Sequence, residues 1–365
     1  MIEKNTPRFP LFAPRFLSSA TDTGSPTQTH IRGYSPQQIR NAYFFDQNCT
    51  GEGIKIAVIE AYYNDFLQND LDMFCREFDL PVRNISITYP DGKADFTIQS
   101  WINESSLDVQ WIRALAPLAQ ISVVFAKSDS ARDMFSAVQS AVNAGAQVIC
   151  MSFGNSEFIS QGEYTQYLLN SRRVFVASAG DAAGIAIYPS TSPAVLSVGG
   201  TSLEISGEGQ RVSRERAWRF GGGGPSKYAD IPSWQSVFSP ISSMSGGKRA
   251  TPDVAFYADM NEGVSIYLTN GSEGEGWTTS GGTSFSCAAL SALCACILQN
   301  APSSLAPSQN IMAYFYALAG GTSYDFNQNY FNDIVLGSNV RYSARPGWDF
   351  CTGLGSVRAE QLVKG

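Results

Sequence analysis

Residues 104–153 read ESSLDVQWIRALAPLAQISVVFAKSDSARDMFSAVQSAVNAGAQVICMSF. Two helix patterns alternate here with two strand patterns. The spacing predicts a helix over Glu104–Ala116, with Asn103 placed to cap its start and Pro117 near its end. Ile121–Phe125 is an apolar run of strand length. Ser130–Ala144 returns to helical spacing, and Val148–Phe153 is a second apolar run. Short apolar runs separated by helices are the pattern of strands buried on both faces. The fold class is therefore α/β, a mostly parallel sheet with helices on both faces.

The alternation extends in both directions. Ser35 and Pro36 open a helix over residues 35–43, serine as N-cap and proline at the first helical position. Ile54–Glu60 reads as a buried strand and Gln68–Phe78 as a helix. Further on, Arg173–Ala179 and Val195–Gly199 read as strands, and Ser284–Gln299 and Gln309–Ala319 as helices. Residues 204–280, with four glycines at 221–224, are less regular and are expected to be surface excursions. Residues 1–33 hold four prolines and no clear periodicity. They are expected to form a poorly structured or extended leader, with one folded domain over 34–365.

The apolar fraction of 44% against a charged fraction of 16% allows a substantial core in 365 residues. A net charge of −7 with no basic block argues against nucleic-acid and anionic-membrane partners. Low charge density also lessens the self-repulsion that unfolds proteins in acid. The N-terminus lacks the apolar core of a secretory signal. No apolar run approaches the roughly 20 residues that cross a bilayer. None of the seven cysteines forms a CxxC pair, and an odd count leaves at least one unpaired within the chain. Cys150, Cys287, Cys294 and Cys296 lie in apolar runs and are expected to be buried packing residues.

Gly281-Gly282-Thr283-Ser284-Phe285-Ser286 has the form of a serine nucleophile at a helix start. Glycines let another backbone approach closely, and a helix N-terminus stabilises nearby negative charge. Ser-His-Asp chemistry needs an imidazole, yet the chain has one histidine, His30, in the leader. His30 lies ahead of the predicted core, so a base other than histidine is expected. Glu104 and Asp108 are four apart, on one face of the predicted helix, near its start. Neighbouring carboxylates push their pKa values apart, so Glu104 can take the Ser284 proton while Asp108 orients it. Asp181 follows a predicted strand, where sites of parallel sheets are built. Protonated, it could donate to an oxyanion. Asp333 and Asp349 bracket a loop rich in backbone carbonyls, which suits Ca²⁺ and its six to eight oxygen ligands.

The ordered set of motifs resembles the sedolisins, serine-carboxyl peptidases of subtilisin-like, three-layer fold. It runs from Tyr34-Ser-Pro-Gln-Gln-Ile-Arg40 through Ile56-Ala-Val-Ile-Glu60, Glu104 and Leu107-Asp108 to Ser178-Ala-Gly-Asp181. Tyr188-Pro189, Val198-Gly-Gly-Thr201, Pro252-Asp-Val-Ala255 and Gly282-Thr-Ser284 follow. Phe331-Asn-Asp-Ile334 and Gly347-Trp-Asp349 complete it. The resemblance implies an endopeptidase active at acidic pH. Ser284 would be the nucleophile, Glu104 the base, Asp108 its partner and Asp181 the oxyanion-hole acid. Glu60 would extend the carboxylate network. One Ca²⁺ would be bound by the Asp333 and Asp349 side chains and the carbonyls of Ile334, Arg345 and Gly347. Polypeptide substrates and a monomeric state are expected, as is extracellular placement, with a cytoplasmic one as the alternative. Members are usually made with a large pro-domain and a signal peptide, so this chain is expected to be processed, truncated or able to fold without them. It departs from the family at Ser152-Phe153-Gly154, where Trp is common, and at Ala288, where Pro is common. Two other readings are a catalytically silent binding protein on the same fold and a conventional hydrolase using His30.

Overall fold

Successive residues of the central strands face two different cores, as the pleat requires. In the computed structural model, Ile56 and Val58 of the strand Lys55–Ala61 belong to one core, and Ala57, Ile59 and Ala61 to the other. Cys150 of Val148–Met151 and Val174 and Val176 of Val174–Ser178 join the first core. Ile149, Met151, Phe175 and Ala177 join the second. The structure describes residues 7–9, 31–169, 172–271, 274–301, 305, 308–320 and 328–364. His30 and most of the leader lie outside them.

The central sheet runs, edge to edge, through Phe331–Asn332, Ser356–Val357, Val254–Tyr257, Leu196–Ser202, Val174–Ser178, Val148–Met151, Lys55–Ala61, Gln120–Ala126 and Ser86–Thr88. All neighbours on this path are parallel except the first pair. The register sets Ile56 beside Val148 and Val148 beside Val174. Helices Gln99–Leu115 and Gly282–Asn300 cover the first core. Helix Ala131–Asn143 covers the second. The subtilisin-like three-layer expectation holds.

Helix Gly282–Asn300 is long and apolar enough to cross a bilayer by length and composition alone. The sequence reading found no run of that kind. Packing explains this helix: 89% of its apolar window is buried inside the protein, so its all-round apolarity belongs to a core helix.

The first helix, Pro36–Ala42, has the predicted cap: Ser35 Oγ accepts from the Gln38 N–H, and Gln38 Oε1 accepts from the Ser35 N–H. Three other expectations are corrected. The helix predicted over Glu104–Ala116 begins at Gln99, so Asn103 is not its cap but a buried interior residue, with Oδ1 accepting from Gln99 Nε2. Burial of Trp101 and Ile102 extends the helix back by one turn. Residues 204–280 are not only surface excursions. Val254–Tyr257 is a buried strand of the central sheet, and the hairpin Val264–Gly271/Gly274–Ser280 packs on helix Gln99–Leu115. Gln110 fastens that hairpin by donating to the Tyr267 carbonyl and accepting from its N–H. Cys296 is not a simple packing thiol: it is disulfide-bonded to Cys49, a cross-link that oxidising compartments favour.

Asp253, ahead of the Val254–Tyr257 strand, is completely buried. It accepts from Arg249 Nη1 and Nη2 at 2.8 and 2.6 Å, from the Ser197 N–H at 2.8 Å and from the Tyr316 hydroxyl at 3.1 Å. A buried charge survives only with such a set of partners. This motif therefore ties neighbouring sheet strands together, away from the carboxylates described next.

Candidate active site

Gly282 has φ +77°, a left-handed conformation that favours glycine, and the Asp181 carboxylate occupies the space a β-carbon would need. This close approach locks the turn before Ser284. Asp181 Oδ1 accepts from the Thr283 N–H at 2.9 Å and from its hydroxyl at 2.7 Å. The Gly180 N–H donates to Thr283 Oγ1 at 3.1 Å. Ser284 thus stands in the first turn of a 19-residue helix, only 8% exposed, at the end where the helix dipole favours negative charge.

Helix Gln99–Leu115 packs against helix Gly282–Asn300 and supplies Glu104 and Asp108. Because the helix starts at Gln99, both lie in its interior rather than at its start. Glu60 comes from the strand Lys55–Ala61, on the same sheet face as Ile56 and Val58. All three carboxylates are buried. Both oxygens of Glu60, both of Glu104 and Oδ1 of Asp108 have no hydrogen-bond partner among the described residues. No described Lys or Arg forms an ion pair with any of them or with Asp181.

Three buried carboxyl groups without a cation cannot all ionise. Burial, then repulsion from Asp108, raises Glu104 well above the ordinary carboxyl range. Burial, then Asp108 and Glu104, does the same to Glu60. Asp108 is raised to about 7 by burial, restrained by the side chains of Ser152 and Cys150. The three titrate as one unit. Ser284 lies close enough to favour the ionised form of Glu104, yet no hydrogen bond is formed between them. Such bonds often tighten only once substrate is bound. Asp181 is raised to about 6 by burial, opposed by the Thr283 N–H and hydroxyl.

The sequence reading missed how Asp108 is held. The Cys150 thiol donates to its Oδ2 at 3.5 Å and lies 3.6 Å from both Ser152 Oγ and Cys287 Sγ. Ser152 Oγ in turn donates to the Ser284 carbonyl at 3.5 Å. Cys150 reads as an apolar strand residue, and the parallel pairing of Val58 with Cys150 is what brings it below Asp108. No local pattern encodes that pairing.

Asp333 and Asp349 both turn toward the loop at 345–347. Asp333 Oδ2 accepts from the Gly347 N–H and Asp349 Oδ2 from the Arg345 N–H, each at 3.0 Å. The carbonyls of Ile334, Arg345 and Gly347 accept no hydrogen bond from the described residues. The described residues contain no group of three His, Cys, Asp or Glu side chains suited to a metal. A cation here would depend on two carboxylates and free carbonyls, an all-oxygen set that fits a hard ion such as Ca²⁺.

A model of the subtilase family matches residues 102–350. Kumamolisin of Bacillus sp. (strain MN-32) is 29% identical over 362 residues, covering 91% of this chain and 63% of that protein. Sedolisin of Pseudomonas sp. (strain 101) is 32% identical over 190 residues, covering 48% of this chain and 29% of that protein. The chain therefore spans less than two thirds of the length of these curated relatives. Among solved structures, Pseudomonas sedolisin, a serine-carboxyl proteinase complexed with two molecules of pseudo-iodotyrostatin, shares the fold. Its TM-score is 0.77 at 24% identity, over 92% of this chain and 98% of that one. On the family match and these relatives together, the chain belongs to the subtilase family and, within it, to the sedolisins.

Proposed function

We propose that the chain is a serine-carboxyl endopeptidase that hydrolyses polypeptides in acid. The observation that carries this reading is Ser284, at a helix N-terminus, beside a buried cluster of three carboxyl groups with no cation. Glu104 accepts the Ser284 hydroxyl proton as Oγ bonds to the substrate carbonyl carbon. The carbonyl oxygen becomes an oxyanion. A protonated Asp181 donates to it from Oδ2, the oxygen that Thr283 leaves free. Glu104 then returns the proton to the leaving amine, the C–N bond breaks, and an acyl-enzyme remains. Water repeats the sequence, giving its proton to Glu104 and releasing Ser284. Asp108 and Glu60, holding protons of their own, keep the cluster from carrying more than one charge. A reactive-serine probe at acidic pH should label the full chain and His30→Ala but not Ser284→Ala. Labelling that survives Ser284→Ala, or is lost with His30, would overturn the reading.

We also propose that Asp333, Asp349 and the carbonyls of Ile334, Arg345 and Gly347 hold one Ca²⁺. The ion would offset two carboxylates and fasten the loop to the sheet without entering the reaction. A ligand bound only by the folded state stabilises it by about 2.7 kcal/mol at a hundred times its Kd. Excess chelator should therefore lower the melting temperature by several degrees, and added Ca²⁺ should restore it. An unchanged melt together with no calcium by elemental analysis would rule the site out.

A further inference from the structure

The thiol of Cys150 lies where three elements of the site meet. Cys150 faces the core with Ile56, Val58, Val174 and Val176, while Ile149 and Met151 of the same strand face the other way. It is completely buried on a strand covered by helix Gly282–Asn300. From that helix Cys287, one turn after Ser284, brings its Sγ to 3.6 Å from that of Cys150. Ser152 Oγ lies at the same distance.

Counting protons fixes the direction of each bond. The Cys287 thiol donates to the Val176 carbonyl at 3.5 Å, and the Ser152 hydroxyl donates to the Ser284 carbonyl at 3.5 Å. Each group has one proton, so both offer only lone pairs to Cys150. The Cys150 proton then has three acceptors within reach: Cys287 Sγ, Ser152 Oγ and Asp108 Oδ2, the last at 3.5 Å. A carboxyl oxygen is the strongest acceptor of the three, most of all when charged.

That bond leaves Asp108 asymmetric. Oδ2 accepts from the thiol, while Oδ1 is buried with no partner among the described residues. A neutral carboxyl carries its proton on one oxygen and accepts best through the other. The proton of a neutral Asp108 therefore sits on Oδ1, the oxygen left for the neighbouring carboxyls. Glu104, four residues away on the same helix, and Glu60, from the strand Lys55–Ala61, both feel Asp108. Cys287 acts on both glutamates, and Asp181 acts on Glu104. No described Lys or Arg pairs with any of these carboxyls. An O–H at Oδ1 can therefore donate to the ionised Glu104 that the reaction needs.

We propose that Cys150 is a positioning residue: its thiol holds the Asp108 proton on Oδ1 and so directs the single charge of the cluster to Glu104. It acts through Asp108 and not on the reacting atoms. The effect on rate rests on the peptidase reading, but the bond itself can be measured without turnover.

The test uses two substitutions in the full chain that keep opposite properties. Cys150→Ser keeps a donor in a smaller, more polar side chain. Cys150→Val keeps an apolar side chain suited to a strand and has no donor. Cys150→Val should lower kcat about tenfold with KM nearly unchanged, since one hydrogen bond is worth roughly that factor. The acid limb of kcat should also move up by about half to one pH unit, because loss of the donor makes the first ionisation of the cluster harder. Cys150→Ser should keep kcat within about threefold of the parent and leave the acid limb in place. A thiol that merely packs would give the opposite order, since valine suits a buried strand and an added hydroxyl does not. Infrared spectroscopy supplies a second readout. The S–H stretching band that vanishes in Cys150→Ser belongs to Cys150, and it should shift in Asp108→Ala, where its acceptor is gone. This readout decides alone if Cys150→Val does not fold. Valine serving as well as serine, an acid limb unmoved in Cys150→Val, or a band indifferent to Asp108→Ala would overturn the proposal. No hydrolysis by the parent chain, with a band that does respond to Asp108→Ala, would instead overturn the peptidase reading and keep the thiol as the group that orients Asp108.

Discussion

Glu104→Gln should lower kcat/KM for peptide hydrolysis by roughly 10³-fold or more, with the fold intact. A positioned general base contributes about 10²–10⁴ in rate, and members of one catalytic unit can cost more than their separate shares. Glutamine keeps the shape of the side chain but cannot accept the serine proton. Both Glu104 oxygens lack partners among the described residues, so the amide breaks no hydrogen bond there on entering. It also removes one ionisable group from a buried cluster without a cation. The melting temperature should therefore stay within a few degrees of the parent, and the loss should reside in turnover. Ser284→Ala should cost a similar factor, and the double variant little more than either single one. Steady-state kinetics and a thermal melt on the three variants check this. Near-normal hydrolysis by Glu104→Gln would remove Glu104 from the role of base.

How far the sequence carried the account differs from place to place. The βα alternation across residues 104–153 was readable because parallel strands are apolar throughout and their helices are not. The Ser35–Gln38 cap was readable because its chemistry is complete within four residues. The start of helix Gln99–Leu115 was not, since Asn103 offered a cap that the burial of Trp101 and Ile102 overrode. Nor was Val254–Tyr257, four residues long behind a proline and an aspartate, whose place depends on pairing with Leu196–Ser202.

The site divides in the same way. Ser284, Glu104, Asp108 and Asp181 were candidates by residue type and spacing, and only the ordered set of motifs joined them into one site. The Asp181–Thr283 contact that fixes the turn before Ser284 joins residues 102 apart in the chain. The Cys150 thiol below Asp108 depends on the register of two parallel strands. The Cys49–Cys296 cross-link joins residues 247 apart, so burial of Cys296 was legible and its partner was not. Phe9 is buried against Phe153 and Phe158, and no local pattern encodes those contacts.

The second large effect is on pH. Catalysis by this arrangement needs one carboxylate in the Glu60–Glu104–Asp108 cluster ionised and Asp181 protonated. The repulsions that raise Glu104 come from Asp108 and Asp181, and they vanish while those groups still hold their protons. The first proton to leave the cluster is therefore opposed by burial alone, and Ser284 assists its departure. Asp181, raised to about 6 by burial, loses its proton as pH rises through that value. An ionised Asp181 repels the oxyanion it should stabilise. Above about pH 6, kcat/KM should fall by up to tenfold per pH unit, reaching about a hundredfold below its maximum near pH 8. Asp181→Asn supplies a donor that does not titrate, so it should lower the maximum but flatten the alkaline limb.

The most direct test is the pH dependence of kcat/KM for peptide hydrolysis by the full chain, from about pH 3 to 9. A bell with its maximum on the acid side of about pH 6 is predicted, because one carboxyl of the cluster must be ionised while Asp181, raised to about 6 by burial, keeps its proton. A maximum at or above about pH 8 would contradict both the role of Asp181 and the carboxyl activation of Ser284.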